Sequence, residues 1–201
     1  MKILYLHGFN SSSNSSKAQT FKNSEFVKNL KNEIILPNLP VSPEEAIENI
    51  LKILENFNFN VSLIGSSLGG FYATYFSDTY NLKSVNINPV VPNHLLKMKS
   101  LIGKHQNFQT MENYYFTKEM YNFLNRIKIE NLNNPLNHLS FVQLEDEVLN
   151  HFDTITYYRN SHLCLESQGS HKFNNFESKI PYILDFLLSL IHISEPTRQS
   201  K

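Results

Sequence analysis

The run Gly65-Ser66-Ser67-Leu68-Gly69-Gly70 follows the apolar segment Val61-Ser-Leu-Ile64 and leads directly into the helical pattern Phe71 to Phe76. It matches G-x-S-x-G with Ser67 at its centre, and a strand-to-helix turn this tight admits only small flanking residues. Such a turn lifts the serine oxygen above a sheet and aims the next amide, that of Leu68, at the place where a substrate oxyanion forms. Ser66 stands in the wrong registry for that role. Taken alone the motif also fits an ordinary glycine-rich turn, so the surrounding chain has to decide.

Those surroundings alternate strand and helix. Lys2-Ile-Leu-Tyr-Leu6 ends at His7-Gly8, the pattern of a buried strand entering a turn, and Asn10 to Ser16 is a polar loop. Phe21, Phe26, Val27 and Leu30 recur at helical spacing, and Glu33-Ile-Ile-Leu36 is a strand stopped by Pro37. Ser42-Pro43-Glu44-Glu45 combines an N-cap, a proline at the first helical position and a glutamate three residues after the cap, ahead of Ile47, Ile50, Leu51 and Leu54. Leu82 to Ile87 is a further strand closed by Pro89; Leu139 to Leu144 and Ser161 to Glu166 follow as strands, and Phe176, Ile180, Ile183, Leu184 and Leu187 mark a last helix. This alternation implies parallel strands joined by right-handed crossovers, with helices on both faces of one sheet. From Val90 to Asn137 it fails. Phe108, Met111, Tyr114, Tyr115, Phe116, Met120, Tyr121, Phe123 and Leu124 predict one or two amphipathic helices there, inserted as a small cap. The expected fold is a compact α/β-hydrolase domain over residues 1–187, with a mostly parallel sheet and a helical cap at about 90–137.

A chain of 201 residues with 15 Phe and 10 Tyr can bury one sizeable core. Lys plus Arg and Asp plus Glu balance at 18 each, which leaves no global field to gather nucleic acid or an anionic membrane surface. Partners are expected to be small molecules without strong charge. The single cysteine, Cys164, lies in the apolar alternation Leu163-Cys164-Leu165, reads as a core residue and fits a reducing, cytoplasmic setting. The first strand lacks the basic and long apolar regions of a secretory signal, and Ile183 to Ile193, interrupted by Asp185, Ser189 and His192, is too short for a span of about 20 residues. Leu188 to Arg198 is similar to translated sequencing-adapter read-through, so residues 188–201 are set aside as a non-native tail.

A serine hydroxyl is a weak nucleophile at its free pKa and needs a base with an orienting acid. On this architecture the acid follows a late strand and the histidine lies in the last loop before the final helix. Glu145-Asp146-Glu147-Val148 and Gly169-Ser170-His171 occupy those places. His171 is therefore the expected base. Asp146 is the expected acid because it fits a D-x-V turn, leaving Glu145 and Glu147 as surface carboxylates; Asp153, near the solvated start of a helix, is a weaker rival. Among the eight histidines, His162 is expected to pack on its strand, and His94, His105, His138 and His151 to serve structural roles in or beside the cap. In His7-Gly8-Phe9 the amide of Phe9 is assigned as second oxyanion donor. The His7 side chain reads first as a group that fixes this loop, with a direct catalytic role as the lesser reading.

Met1-Lys-Ile-Leu-Tyr-Leu-His-Gly-Phe-Asn-Ser-Ser12, Gly65-Ser-Ser-Leu-Gly-Gly70, Asn88-Pro89, Asp146-Glu-Val-Leu149 and Gly169-x-His171-x-Phe173 together resemble the YqiA-like bacterial esterases, over nearly the whole chain to about Leu187. The resemblance implies a compact hydrolase acting on acyl esters and acyl-CoA thioesters, with its motifs falling on Ser67, Asp146 and His171. Two positions depart from the pattern: Glu145 stands where the family has Gly, and Ser170 where it has an acidic residue. The expected reaction is acyl transfer to water through an acyl-enzyme, with no metal or organic cofactor. The aromatic face of the cap, Phe116 and Tyr121 in particular, is expected either to line an apolar acyl pocket or to complete the core. A non-catalytic ligand- or partner-binding protein on the same fold is the alternative. The sequence carries no sign of oligomeric state.

Overall fold

The computed structural model describes residues 2–29, 33–107 and 110–189. Leu30, Phe108 and the tail from 190 onward lie outside the described residues. The chain opens with strand β1 (Lys2–Leu6), helices α1 (Ser16–Asn23) and α2 (Glu25–Lys28), strand β2 (Glu33–Ile35) and helix α3 (Pro43–Asn56). α3 begins where its sequence demands: the Ser42 hydroxyl accepts from the Glu45 amide at 3.4 Å and Pro43 occupies the first turn. Strand β3 (Val61–Ser66), helix α4 (Leu68–Tyr80) and strand β4 (Ser84–Ile87) follow.

The segment after β4 is more mixed than the expected helical cap. It holds helix α5 (Leu95–Met98), an antiparallel hairpin of β5 (Gly103–Gln106) and β6 (Asn113–Phe116), and helix α6 (Lys118–Ile127). Tyr114, Tyr115 and Phe116 are thus strand residues, alternating between half-buried, exposed and buried. Aromatic residues favour such a half-buried pleated surface. The Thr117 hydroxyl also accepts from the Met120 amide at 3.2 Å and so starts the helix only after Phe116. The chain ends with β7 (His138–Gln143), α7 (His151–Tyr157), β8 (His162–Glu166) and α8 (Ile180–Leu188).

Six strands form one parallel sheet in the order β2-β1-β3-β4-β7-β8. Central strands covered on both faces read as continuous apolar runs, which is why β3 is buried along its whole length. The period of two then divides the core. Leu4 and Leu6 join Leu63, Ile50, Leu54 and Phe71 under α3 and α4. Ile3 and Tyr5 join Ile64, Phe141, Phe21 and Ile183 under α1 and α8. Cys164 packs against this second core yet is only half-buried, because β8 is the last strand of the sheet. Among the described residues no helix is long and apolar enough to cross a membrane.

At the start of β7 lies a buried titratable group remote from Ser67 in the sequence. His138 is fully buried; its Nδ1 bonds the Ser84 hydroxyl at 2.8 Å, while Nε2 lies 4.0 Å from an Asp78 carboxylate whose oxygens already accept from Asn133 and Asn134. Burial, only partly opposed by attraction to Asp78, holds His138 down to about 4. The folded protein therefore keeps this imidazole neutral, and the unfolded chain binds the proton first. The resulting stability is present above pH 6.5 and lost as pH falls toward 4, by roughly 3 kcal/mol at the limit. Urea denaturation of the wild type and His138→Gln at pH 7 and pH 4.5 is expected to show the wild type losing more stability over that interval; equal losses would mean that His138 takes up no proton on unfolding.

Candidate active site

The turn between β3 and α4 places Ser67 at φ 55° and ψ −121°, a region that L residues seldom occupy and that costs about 1–3 kcal/mol. Hydrogen bonds hold it there: the Ser67 amide donates to Ile87 O at 3.1 Å, and its carbonyl accepts from Gly70 at 2.9 Å and Val90 at 3.0 Å. The flanking glycines are required by space. A Cβ on Gly65 would lie 2.2 Å from Gly69 O, and one on Gly69 would lie 2.1 Å from Leu6 O.

The loop after β8 returns His171 to this serine. His171 Nε2 is 3.0 Å from Ser67 Oγ, and Nδ1 is 2.8 Å from Asp146 Oδ2. The other carboxylate oxygen of Asp146 accepts from the Val148 and Leu149 amides at 2.9 Å each. Burial pushes the Asp146 carboxyl up, but the hydrogen bond and attraction of His171 and the two amide bonds outweigh it, so the net shift is down. An ionised Asp146 can only accept, which fixes the imidazole proton on Nδ1 and leaves the Nε2 lone pair facing the serine hydroxyl. The arrangement can withdraw a proton from Ser67.

Several side chains hold this row in place without joining it. Gln143, buried at the end of β7, accepts from the Ser170 and Asn174 amides at 3.0 and 2.8 Å and donates to Asn174 O at 2.9 Å and Glu166 at 2.7 Å. Asn88 accepts from the Gln143 amide at 2.9 Å and donates to Ser170 O at 2.9 Å. Gly169, at φ 121°, makes room for this hub, since a Cβ there would lie 2.0 Å from Gln143 Oε1. Glu147 is exposed but is more than a surface carboxylate, because it accepts from the His171 amide at 2.9 Å, a bond that lowers its pKa. Sequence reading missed the roles of Gln143 and Glu147. The available signal for Gln143 was a polar residue closing the apolar strand Leu139 to Leu144 just before the acid turn.

On the other side of Ser67, the β1–α1 loop lies close enough that a Cβ on Gly8 would be 3.0 Å from Ser67 Cβ. Among the described residues neither the Phe9 nor the Leu68 amide has a protein acceptor. His7 Nδ1 donates to Gly8 O at 3.0 Å and Nε2 accepts from the Leu39 amide at 3.0 Å, so the side chain ties this loop down and burial lowers its pKa. His94 is buried between Val91 N and Asn150 O, and Asp153 bonds Asn93. His162 is exposed, with its ring against Phe186.

A cleft of about 1450 Å³ opens at Ser67 and His171 and runs along α1, past Lys17, Phe26, Phe173 and Phe176. Phe116 and Tyr121 do not line it. Phe116 is fully buried beneath the Phe9 ring, with centroids 5.5 Å apart, and Tyr121 is half-buried against the α3–α4 core. Their apolar surface is used by the hairpin and α6 in packing on the domain. Among the described residues no group of three or more His, Cys, Asp or Glu is arranged to hold a metal ion.

A six-stranded parallel sheet with a serine elbow after its third strand defines an α/β hydrolase, and similarity to solved structures agrees. Mouse alpha/beta hydrolase domain-containing protein 10 superposes with a TM-score of 0.72 at 15% identity, covering 92% of this chain and 89% of that one. Est1E from Butyrivibrio proteoclasticus, with ferulic acid bound, gives 0.72 at 12% identity over 93% and 88%. The esterase domain of a Rhodothermus marinus protein gives 0.62 at 16% identity over 90% and 82%. Residues 2–188 match the model of the uncharacterised protein family UPF0227. The chain belongs to that family, which is the YqiA family of esterase-like α/β hydrolases.

The hub yields a stability prediction. Gln143→Leu strips partners from the Ser170 and Asn174 amides and the Asn174 carbonyl, and Gly169→Ala drives a methyl into the glutamine. Each is expected to cost about 2–4 kcal/mol in chemical denaturation. A change within about 0.5 kcal/mol of wild type would show that the loop holds itself.

Proposed function

We propose that the protein is a serine esterase that hydrolyses acyl esters, with acyl thioesters as a second class. The observation that carries this reading is the unbroken row Asp146–His171–Ser67, with steps of 2.8 and 3.0 Å, ending on a serine held in a strained elbow. In the reaction His171 Nε2 takes the Ser67 proton as the oxygen attacks the acyl carbon. Asp146 keeps the ring oriented and stabilises the imidazolium. The free amides of Phe9 and Leu68 serve as donors to the oxyanion, a preorganised arrangement that needs no movement as charge develops. His171 then returns the proton to the leaving alkoxide or thiolate, and a water activated by the same imidazole releases the acid. The hydrolase and esterase neighbours support the class of reaction through fold. The single half-buried cysteine fits a cytoplasmic setting.

Ser67→Ala removes one oxygen and little core volume. It is expected to lower turnover of a chromogenic acetate ester by about four orders of magnitude, with an unchanged thermal midpoint. A fluorophosphonate probe should label the wild type and leave Ser67→Ala unlabelled. Asp146→Asn should cripple turnover through the wrong tautomer, whereas His162→Ala, on the exposed start of β8, should not. Full turnover by Ser67→Ala would remove the assignment, and a protein that binds ligands without labelling at Ser67 would be a binding module on this fold.

A further inference from the structure

Lys17 lies in the first turn of α1, a turn without an acidic residue, and its side chain forms part of the cleft wall that leads to Ser67 and His171. Its Nζ donates to the carbonyl of Lys172, the residue after His171, at 2.8 Å. An ammonium has three donors, so this contact leaves others for a ligand. Among the described residues no carboxylate lies within 4 Å of Lys17 Nζ. The charge that acts on it through space is that of Asp146, whose oxygens are already taken by His171, Val148 and Leu149. Lys172 and Glu177, both exposed, are the other charged groups on the same cleft.

Burial pushes Lys17 down to about 8, opposed in part by Asp146. Lys17 is half-buried in the cleft wall; partly withdrawing an ammonium from water without a direct counter-ion is unfavourable, and a bound anion is the group that would relieve it. The neighbouring wall offers neutral hydrogen-bonding groups, Asn10, Ser11, Ser15 and Ser16, while Phe26, Phe173 and Phe176 supply apolar surface beside them. A cleft made this way suits a substrate with an apolar body and one charged group. Overall charge balance pointed to uncharged partners; the local placement of one lysine points elsewhere.

We propose that Lys17 determines specificity by holding an anionic group, a carboxylate or a phosphate, carried by the ester, a reading that rests on Ser67 as the nucleophile. The charge can belong to the acyl part or to the leaving group, and two pairs of substrates separate these sources. p-Nitrophenyl hemiglutarate against p-nitrophenyl pentanoate places the charge on the acyl chain. 4-Acetoxyphenyl phosphate against phenyl acetate places it on the leaving group. The wild type is expected to favour the charged member of at least one pair, and Lys17→Met to lower that ratio of kcat/KM about tenfold, with Lys17→Arg retaining most of it. No preference for charge in either pair, or an equal fall for charged and neutral substrates in Lys17→Met, would overturn the proposal and leave Lys17 as a tie to the His171 loop. If no ester is turned over at all, the esterase reading fails separately. Calorimetric titration of the wild type and Lys17→Met with glutarate and with inorganic phosphate then decides the subsite: binding that needs Lys17 supports it, and no binding, or binding indifferent to the substitution, overturns it.

Discussion

Ser67 occupies a backbone conformation that serine does not favour, and hydrogen bonds to both its amide and its carbonyl keep it there. Its amide is bound by the end of β4 and its carbonyl by Gly70 and Val90, so the elbow persists only while β3 and β4 stay paired and α4 leaves the sheet at this angle. Gly69 lets the first turn of α4 rest against the carbonyl of Leu6, at the end of β1. The strain at one residue is therefore borne by three adjacent strands, and the position of the oxygen is that of the sheet itself. Such over-determination is what allows a site to store a conformation worth about 1–3 kcal/mol against it.

The row that begins at Ser67 is completed from residues distant in sequence, 104 positions away at His171 and 25 further between His171 and Asp146. Parallel order solves this problem, because β3, β4, β7 and β8 end on the same side and deliver their loops to one place. Loops alone would not hold hydrogen-bond distances. Gln143 supplies the missing rigidity: a buried amide with both ends engaged, reaching the loop of His171, the end of β8 and, through Asn88, the end of β4. A buried polar network that is fully satisfied rigidifies its surroundings, whereas a partly satisfied one would weaken them.

Much of this was legible in the sequence where a local signal and the tertiary outcome agree. The capping residues of α3, the apolar run of β3 and the glycines around Ser67 each state a requirement that neighbours in sequence can meet. The hairpin β5–β6 was not legible because Tyr114-Tyr115-Phe116 suits either a strand or an amphipathic helix, and pairing with Gly103–Gln106 settles it. Glu147 and Lys17 were unreadable for another reason. Each acts through a backbone atom far along the chain, His171 N and Lys172 O, and such a contact leaves no trace in the spacing of side chains.

The aromatic residues of the insert illustrate the same separation between composition and role. Phe116 lies beneath Phe9, and His105 and Tyr114 approach the same ring edge-on. The Tyr114 hydroxyl donates to the Asn10 side chain, and Asn107 donates to Ser11 O at 3.0 Å. The hairpin thus grips the β1–α1 loop from one side while His7 fastens it to Leu39 from within. That loop brings Gly8 against Ser67, and its other side, with α1, forms the wall of the cleft. An insert that supports the loop need not touch what enters the cleft, so its aromatic content follows from packing against Phe9, and the shape and charge of the cleft are left to α1 and the His171 loop.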